Sequence, residues 1–501
     1  MPRRLAVLVL LLPGLALLTS CTRFGATLNR GEDPIVLTGA DVPDLAGTVP
    51  SRLTAFAWNG EIWTQVPVQV DERDDVDPYT VLHRSGSATQ PDGSPLRLKL
   101  YTPPTTPSAG YTWWDTYTPP DSDPALDADD EIVVLGSDVG KQAPIDTAPP
   151  GGVAGATRTE VHVSDPLHPD QEGWLYLFRG TTRTGGSGGT SGVTYTFSLD
   201  SGDYRSTYRM GDSALAPNQL AGPNPEHSTV VAPAYTQSFA DRWLNDGVTI
   251  KTGDSDGTDI LERSRIQTVP DQCGRSEDTF NGAASFSRGG PKAFIVNISG
   301  PVRGVRSYMG ANSGNLTGAT DLFYPWRVDT VSDLRVHTIG GAMAFEDLTT
   351  SMTGMRYSDA LVPEGVAIDG VPDVLPPGVP AWQMASGPQG SLVTVSTLQT
   401  TIPDLAVERW YVDDASPPDP PCTGDAVAWG QHGSRVVGPL PCTDPRFYGI
   451  RANCPTRADQ PTVDTFRGIR VRYFQAPGLS PDDATKLQVR ATTPIVVTVT
   501  P

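Results

Sequence analysis

Positive charge is scarce in this chain. Its 501 residues include 37 Lys and Arg against 57 Asp and Glu, which gives a formal net charge of −20 at pH 7. A protein that binds nucleic acid needs a surplus of cations to neutralise phosphates. The composition therefore excludes nucleic acid as a partner.

The chain also lacks the common signatures of metal and nucleotide sites. It has only five Cys and six His, with no Cys-x-x-Cys and no His-Glu-x-x-His, which disfavours zinc. It contains no Walker loop and no dinucleotide fingerprint. The stretch 185–189 matches Gly-x-Ser-x-Gly in letters, but it lies in a Gly run without the flanking strand and helix that a nucleophile elbow requires.

The N-terminal residues have the pattern of an export signal. Arg3 and Arg4 precede a short apolar run, 5–18, which is typical of a secretory signal rather than a membrane span. The following Leu18-Thr-Ser-Cys21 resembles the lipobox of bacterial lipoproteins, in which the Cys becomes the lipid-modified first residue. The resemblance implies a signal peptide over 1–20 and lipidation of Cys21.

An exported lipoprotein is displayed outside the cytoplasm, at a bacterial membrane or cell surface. We expect residues 21–34 to form a tether, and the lipid alone to hold the membrane, because an acidic surface is repelled by anionic headgroups. An even number of further cysteines in an exported chain predicts two disulfides with three possible connectivities. These cysteines are Cys273, Cys422, Cys442 and Cys454.

Short alternating runs dominate the rest of the chain and predict an all-β fold. In 158–164, 193–197 and 468–473, polar residues alternate with β-branched or aromatic ones, which is typical of strands with one buried face. The one good helix start is Ser480-Pro-Asp-Asp483, from which we expect a turn or two.

Breaks rich in Gly, Ser and Pro divide this β sequence into blocks. We expect an N-terminal β-sandwich domain over 35–180 and a larger, multi-stranded antiparallel sandwich over 193–375. A C-terminal β segment over 381–501 either stands alone or packs with the central block.

Two groups of acidic residues are spaced as in calcium loops. Alternate carboxylates in a loop can converge on a hard cation, and Ca²⁺ takes six to eight oxygen ligands. Solvated acidic loops on an acidic protein are the alternative interpretation. The candidate calcium ligands are Asp127, Asp129, Asp130, Asp254, Asp256 and Asp259.

One strand in the central block suggests a family. Gly300-Pro-Val-Arg303 resembles a strand of galactose-mutarotase-like β-supersandwich proteins, which include polysaccharide lyases and other sugar-processing enzymes. The resemblance implies two large stacked sheets with a carbohydrate groove on the concave face.

Residues compatible with sugar chemistry lie nearby in sequence. Alternation in 334–338 places Arg335 and His337 on one face, about 6–7 Å apart along the strand. A lyase that acts on a uronate needs a group to neutralise the carboxylate, a base and an acid. Arg335 or Asn312 fits the first role, His337 or His227 the second, and Tyr308 the third. A half-exposed structural histidine is the alternative for His337.

These observations leave three functional hypotheses open. The first is a lipid-anchored carbohydrate-active enzyme that cleaves polysaccharide by β-elimination. The second is a non-catalytic lipoprotein, stabilised by calcium, that binds glycan or another envelope component. The third is a glycoside hydrolase with paired carboxylates, for which Asp241, Glu262 and Asp329 are available but no pair stands out.

Overall fold

The computed structural model describes thirteen stretches of the chain. They are 24–77, 86–87, 89–90, 92–102, 123–198, 227–240, 244–268, 293–309, 318–333, 339–402, 405–416, 427–440 and 465–500. Within them the structure is built from antiparallel sheets, which confirms the all-β fold. No helix in the described stretches is long and apolar enough to cross a membrane.

Three sheets form the N-terminal part of the molecule. A three-stranded sheet has the order β1-β7-β4, a two-stranded sheet pairs β5 with β6, and a five-stranded sheet has the order β27-β8-β9-β2-β3. The strands are β1 Pro34–Thr38, β2 Leu53–Trp58, β3 Trp63–Val66, β4 Gln69–Asp71, β5 Arg73–Val76, β6 Leu98–Tyr101, β7 Glu131–Leu135, β8 Val153–Asp165, β9 His168–Gly180 and β27 Val496–Thr500. Short 3-10 turns are Gly39–Asp41, Pro43–Leu45, Pro50–Arg52, Gly136–Asp138 and Gly185–Gly188.

Alternation along these strands builds one apolar core. Val161 and Val163 of β8 and Leu175 and Leu177 of β9 all point to the same buried layer. Phe24 and Leu28 pack into this core as well. Residues 24–33 therefore belong to the folded N-terminal part, where the sequence had suggested a tether, because their apolar side chains complete its core.

A nine-stranded sheet forms the centre of the molecule. Its order is β15-β16-β17-β18-β26-β23-β22-β20-β21, with every neighbouring pair antiparallel. The strands are β15 Ala293–Ser299, β16 Gly304–Met309, β17 Gly318–Phe323, β18 Arg327–Asp333, β20 Arg356–Asp359, β21 Val362–Ala367, β22 Gln383–Gly387, β23 Gly390–Thr400 and β26 Phe466–Gln475. Because β26 lies between β18 and β23, one sheet joins the expected central and C-terminal blocks.

Two four-stranded sheets cover one face of the nine-stranded sheet. Their orders are β10-β11-β12-β13 and β14-β19-β25-β24. The strands are β10 Thr194–Thr196, β11 Ser228–Val231, β12 Tyr235–Ala240, β13 Leu244–Ile250, β14 Leu261–Thr268, β19 Ile339–Leu348, β24 Ala406–Asp414 and β25 Ala428–Leu440. Stacking of Tyr235 on Phe474, with ring centroids 4.1 Å apart, is typical of the apolar part of this layer.

A helix covers part of the opposite face. Helix α1, Pro481–Thr492, begins at Ser480, whose hydroxyl accepts a hydrogen bond from the Asp483 amide. Ala484 and Leu487 pack against apolar residues of the nine-stranded sheet. This packing explains why the helix runs for three turns, beyond the turn or two that its start signal predicts, because tertiary contacts stabilise helices more than propensity does.

Arg303 links the N-terminal sheets to the nine-stranded sheet. It is 1% exposed, and its guanidinium donates to the carboxylates of Asp71, at 2.8 Å, and of Glu131, at 2.6 Å. Its backbone amide also donates to the Gln69 side chain at 2.9 Å. A buried cation thus binds two carboxylates, one from β4 and one from β7, and the burial of each charged group is stabilised by its partners.

We predict that Arg303→Met lowers the free energy of unfolding by about 3–5 kcal/mol, because it leaves the carboxylates of Asp71 and Glu131 without their cation. Denaturant unfolding measures the change, and adding Asp71→Asn is expected to restore part of it. Arg356→Met, which removes an exposed arginine of β20, is the matched control. A loss no larger than that of the control would contradict this role for Arg303.

Candidate functional site

The layer between the nine-stranded sheet and the β14-β19-β25-β24 sheet contains a cluster of buried polar side chains. The space between two packed sheets is usually filled by apolar side chains. The polar side chains found here are called the interior polar cluster. Its members are Ser264, Asp321, Thr330, Glu346, His432, Arg470 and Arg472, all of them buried.

Strand register brings one side of the cluster together. On the four-stranded sheet, Ser264 of β14 lies opposite Glu346 of β19, and Glu346 lies opposite His432 of β25. Directly opposed residues in antiparallel strands project from the same face. The three side chains therefore form a row that crosses three strands.

The nine-stranded sheet supplies the facing row. Asp321 of β17 lies opposite Thr330 of β18, and Thr330 lies opposite Arg470 of β26. Arg472 follows two residues later on β26, and the period of two in a strand places it on the same face as Arg470. The alternate residues, Val471 and Tyr473, point to the other face and pack with α1.

Ion pairs connect the two rows. Arg470 Nη1 lies 3.1 Å from Glu346 Oε1, and Arg472 Nη1 lies 3.9 Å from the same oxygen. Arg470 Nη2 also donates to Ser264 Oγ at 3.0 Å. Glu346 is 1% exposed, and a buried carboxylate is costly unless it is paired, so the two guanidinium groups stabilise it there.

Several buried polar atoms of the cluster have no hydrogen-bond partner among the described residues. Oε2 of Glu346 and Nε2 of His432 are acceptors without a partner, and Nε of Arg470 and Nε of Arg472 are donors without one. Glu346 Oε1 and Arg470 Nη1 make no hydrogen bond, but they contact each other as an ion pair. Buried polar groups in proteins are nearly always hydrogen-bonded, so these atoms need further polar partners, which bound water or a ligand would supply.

His432 presents a neutral, basic nitrogen to this cluster. Its Nδ1 lies 2.8 Å from the carbonyl oxygen of Gly430, which can only accept, so Nδ1 carries the proton. Nε2 is then the atom with the lone pair. Burial lowers the pKa of His432, against the opposing effect of the Glu346 carboxylate. The ring is therefore neutral at neutral pH, with Nε2 as its acceptor atom.

The guanidinium groups of Arg470 and Arg472 are close enough to affect each other electrostatically. Burial lowers the pKa of Arg472, and the neighbouring Arg470 guanidinium lowers it further. Thr330 Oγ1 donates to Asp321 Oδ1 at 2.6 Å, while Arg472 Nη2 lies 4.0 Å from that carboxylate. The two cations face the carboxylates of Glu346 and Asp321, so the formal charges of these four side chains balance.

Among the residues that the sequence suggested for catalysis, those that the structure describes lie outside this cluster. Arg335, His337 and Asn312 lie outside the described residues. His227 is exposed, and its backbone amide donates to the Ser198 carbonyl. Tyr308 is 8% exposed and lines a different cavity.

Carboxylates of the two expected calcium loops mostly meet backbone amides. Asp130 accepts from the amides of Arg73 and Asp127, and Asp259 accepts from the amides of Val248 and Leu261. The remaining candidates behave similarly or form an ion pair: Asp127 accepts from the Asp129 amide, Asp256 from the Thr258 amide, and Asp129 pairs with Lys99.

Across the described residues, no three His, Cys, Asp or Glu side chains gather as a metal site. Calcium binding by Asp127, Asp254 and the other candidates stays a prediction, which a calcium-dependent rise in melting temperature would support. The lipidation and disulfide candidates, Cys21, Cys273, Cys422, Cys442 and Cys454, all lie outside the described residues.

One pattern in the sequence could have predicted part of the interior polar cluster. In Gly468-Ile-Arg-Val-Arg-Tyr473 the strand pattern itself places two arginines on one face, and a strand face with two cations in an acidic chain is unusual. His432 stands in Gly430-Gln-His-Gly433, where no periodicity distinguishes it. Its importance comes from its register opposite Glu346, which sequence alone does not reveal.

Comparison with known proteins gives no assignment from sequence. No family model matches the chain, and no curated protein matches it. Among solved structures, the chain is similar to a protein from Escherichia coli K12 assigned as an aldose 1-epimerase, with 10% identity and a TM-score of 0.23, over 49% of this chain and 97% of that one.

A second solved structure is a family GH92 α-mannosidase from Bacteroides thetaiotaomicron. It shares 8% identity at a TM-score of 0.22, and the match covers 60% of this chain but only 34% of the mannosidase. TM-scores of this size leave the activity of the present chain to be argued from its own residues.

The neutral state of His432 predicts a specific pH dependence. Its pKa is lowered in the folded chain, so below about pH 6.5 the unfolded chain binds a proton that the folded chain does not. Stability contributed by neutral His432 is therefore present above that pH and is lost as the pH falls, by at most about 1.4 kcal/mol per pH unit.

Denaturant unfolding of the wild type and of His432→Asn between pH 5 and pH 8 isolates this contribution. We expect the wild type to lose stability more steeply than the variant below pH 6.5. Parallel curves for the two proteins would show that His432 titrates normally.

Proposed function

We propose that this chain is a carbohydrate-active protein whose interior polar cluster binds an acidic sugar and cleaves its polymer by β-elimination. The observation that carries the proposal is the set of unpartnered buried atoms on Glu346, His432, Arg470 and Arg472. Donors and acceptors occur together there, so the matching ligand offers both hydroxyl groups and an anionic carboxylate. A uronic acid unit has both.

The arginines suit the carboxylate of such a sugar. A guanidinium binds a carboxylate with two parallel hydrogen bonds, and Arg470 and Arg472 each keep buried N–H groups without a partner. Neutralising the carboxylate makes the adjacent C–H more acidic and stabilises the enolate that forms when the proton leaves.

His432 suits the role of base. Its Nε2 takes the proton from the carbon beside the carboxylate, and the C–H electron pair becomes the new C=C double bond. The C–O bond to the next sugar then breaks, and its electron pair leaves with the oxygen. The imidazolium formed in the first step has a lowered pKa, so it is an effective acid for returning that proton to the leaving oxygen.

Burial lowers the pKa of His432 and makes it a weaker base, which favours a second candidate function, binding without chemistry. His432 is 0% exposed and Glu346 is 1% exposed, so a saccharide reaches them only if the surrounding chain opens. A protein that holds a terminal uronate of an envelope glycan would need the same donors and acceptors. Hydrolysis by two carboxylates is a third candidate, for which Asp321 and Glu346 are the acids in the cluster.

Export and lipid anchoring at Cys21 belong to the same proposal, since a protein displayed outside the cytoplasm meets polysaccharides directly. The test for anchoring is separate: globomycin, which blocks lipoprotein signal cleavage, is expected to leave the precursor uncleaved. Normal processing of the precursor in the presence of globomycin would contradict lipid anchoring at Cys21.

Activity on a panel of acidic and neutral polysaccharides tests the chemistry. We predict absorbance from unsaturated uronates with an acidic polymer, and a loss of about 10²–10⁴-fold in kcat for His432→Asn, as expected for removal of a general base. Arg435→Ala is the matched control, because Arg435 lies on the same strand and pairs with Glu408 at the surface.

Other outcomes separate the candidates. New reducing ends without absorbance would reject elimination in favour of hydrolysis. Binding of uronate oligomers without turnover, weakened by Arg472→Gln, would favour the binding function. An acidic polymer cleaved equally well by the wild type and His432→Asn would contradict the role of this cluster.

A further inference from the structure

A second candidate site lies on the opposite face of the nine-stranded sheet. It is a cavity of about 570 Å³, a size common among sites for small organic ligands. Its walls come from the N-terminal strands β1, β6 and β7, from β16 to β18, and from residues 494–497 before and within β27. Parts of the chain far apart in sequence therefore meet around one space.

The floor of the cavity is a fixed hydrogen-bond network. Arg303 Nη1 donates to the Tyr324 hydroxyl at 2.9 Å, and the Tyr101 hydroxyl donates to Glu131 at 2.9 Å. Although burial acts to raise it, Arg303 and Arg73 hold the pKa of Glu131 below its ordinary range. These groups are paired with one another, so they give the cavity a rigid base.

One side of the cavity offers unpartnered polar atoms. Arg327 and Asp329 line it, and they pair with each other through Nη2 and Oδ2 at 2.8 Å. Arg327 Nε and Asp329 Oδ1 are buried and have no hydrogen-bond partner among the described residues. Burial raises the pKa of Asp329 despite Arg327. This side therefore keeps one donor and one acceptor for a ligand.

The rest of the wall combines aliphatic surface with exposed cations. The aliphatic part is formed by Leu98, Leu100, Leu322, Val331, Ile495 and Val497. At the exposed rim stand Arg97 and Arg467, neither of which forms an ion pair with another described residue. Asp333 lies opposite Arg467 in register, so positive charge at the rim exceeds negative charge by one among these three residues.

We propose that this cavity binds a hydroxylated organic carboxylate. Arg97 and Arg467 bind its carboxylate at the rim, Asp329 Oδ1 accepts from a hydroxyl inside, and the aliphatic wall packs against its C–H face. A free sugar acid and the end of a uronate chain share this chemistry. The site is independent of the interior polar cluster, which lies across the sheet and uses other residues.

Calorimetric titration with two probes tests the proposal, with galacturonate for the free acid and trigalacturonate for the chain end. Both titrations would use the His432→Asn variant, which lacks the proposed base of the interior polar cluster. Adding Arg97→Ala and Arg467→Ala together is expected to weaken binding at least tenfold. Arg356→Ala is the matched control, since that arginine lies on β20 and outside the cavity.

Protection from phenylglyoxal, mapped by mass spectrometry, provides a second measurement on a chain with both arginines intact. We expect the bound probe to slow modification of Arg97 and Arg467 but not of Arg356. Binding of the monomer identifies a free acid as the ligand, and binding of the trimer alone identifies a chain end. Binding unchanged in the double variant would overturn the proposal and leave the interior polar cluster as the uronate site. Binding of neither probe would overturn both this proposal and the uronate binding proposed for the interior polar cluster.

Discussion

Glu346 is buried between the guanidinium groups of Arg470 and Arg472, and the proposed function depends on this arrangement. Removing charged groups from water costs several kcal/mol for each ion, and an ion pair offsets this only when geometry and further hydrogen bonds are good. Here the distances to Glu346 Oε1 are 3.1 and 3.9 Å, and both of its oxygens lack a hydrogen-bond partner. Apolar side chains in this layer would be at least as stabilising, and we propose that the polar cluster is present because it serves a ligand.

Strand β26 connects this cluster to the rest of the fold. Its odd-numbered residues Val471 and Tyr473 pack under α1, and its even-numbered residues Arg470 and Arg472 face the four-stranded sheet. Because β26 is central in the nine-stranded sheet, both faces of the strand are covered and its register is strongly fixed. The large sheet thereby separates two polar sites, the cluster on one face and the cavity floored by Arg303 and Tyr324 on the other.

Sequence patterns predicted what depends on local alternation and missed what depends on long-range register. The strand around Val161 and Val163 and the all-β class follow from residue periodicity, the cap at Ser480 follows from the local Ser-Pro-Asp-Asp signal, and the structure confirms them. The sequence does not predict a role for His432, because that role depends on Glu346, which is 86 positions away in the chain and lies opposite it in the sheet. The sequence suggests a tether over 21–34, yet Phe24 and Leu28 pack into the core built by the strands that follow.

A crystal structure of the protein bound to a uronate oligosaccharide tests the central claim most directly. The account predicts a sugar carboxylate within hydrogen-bond distance of Arg470 or Arg472, with the adjacent ring carbon facing Nε2 of His432. A saccharide found only elsewhere, with the layer between the sheets unchanged and closed, would contradict it.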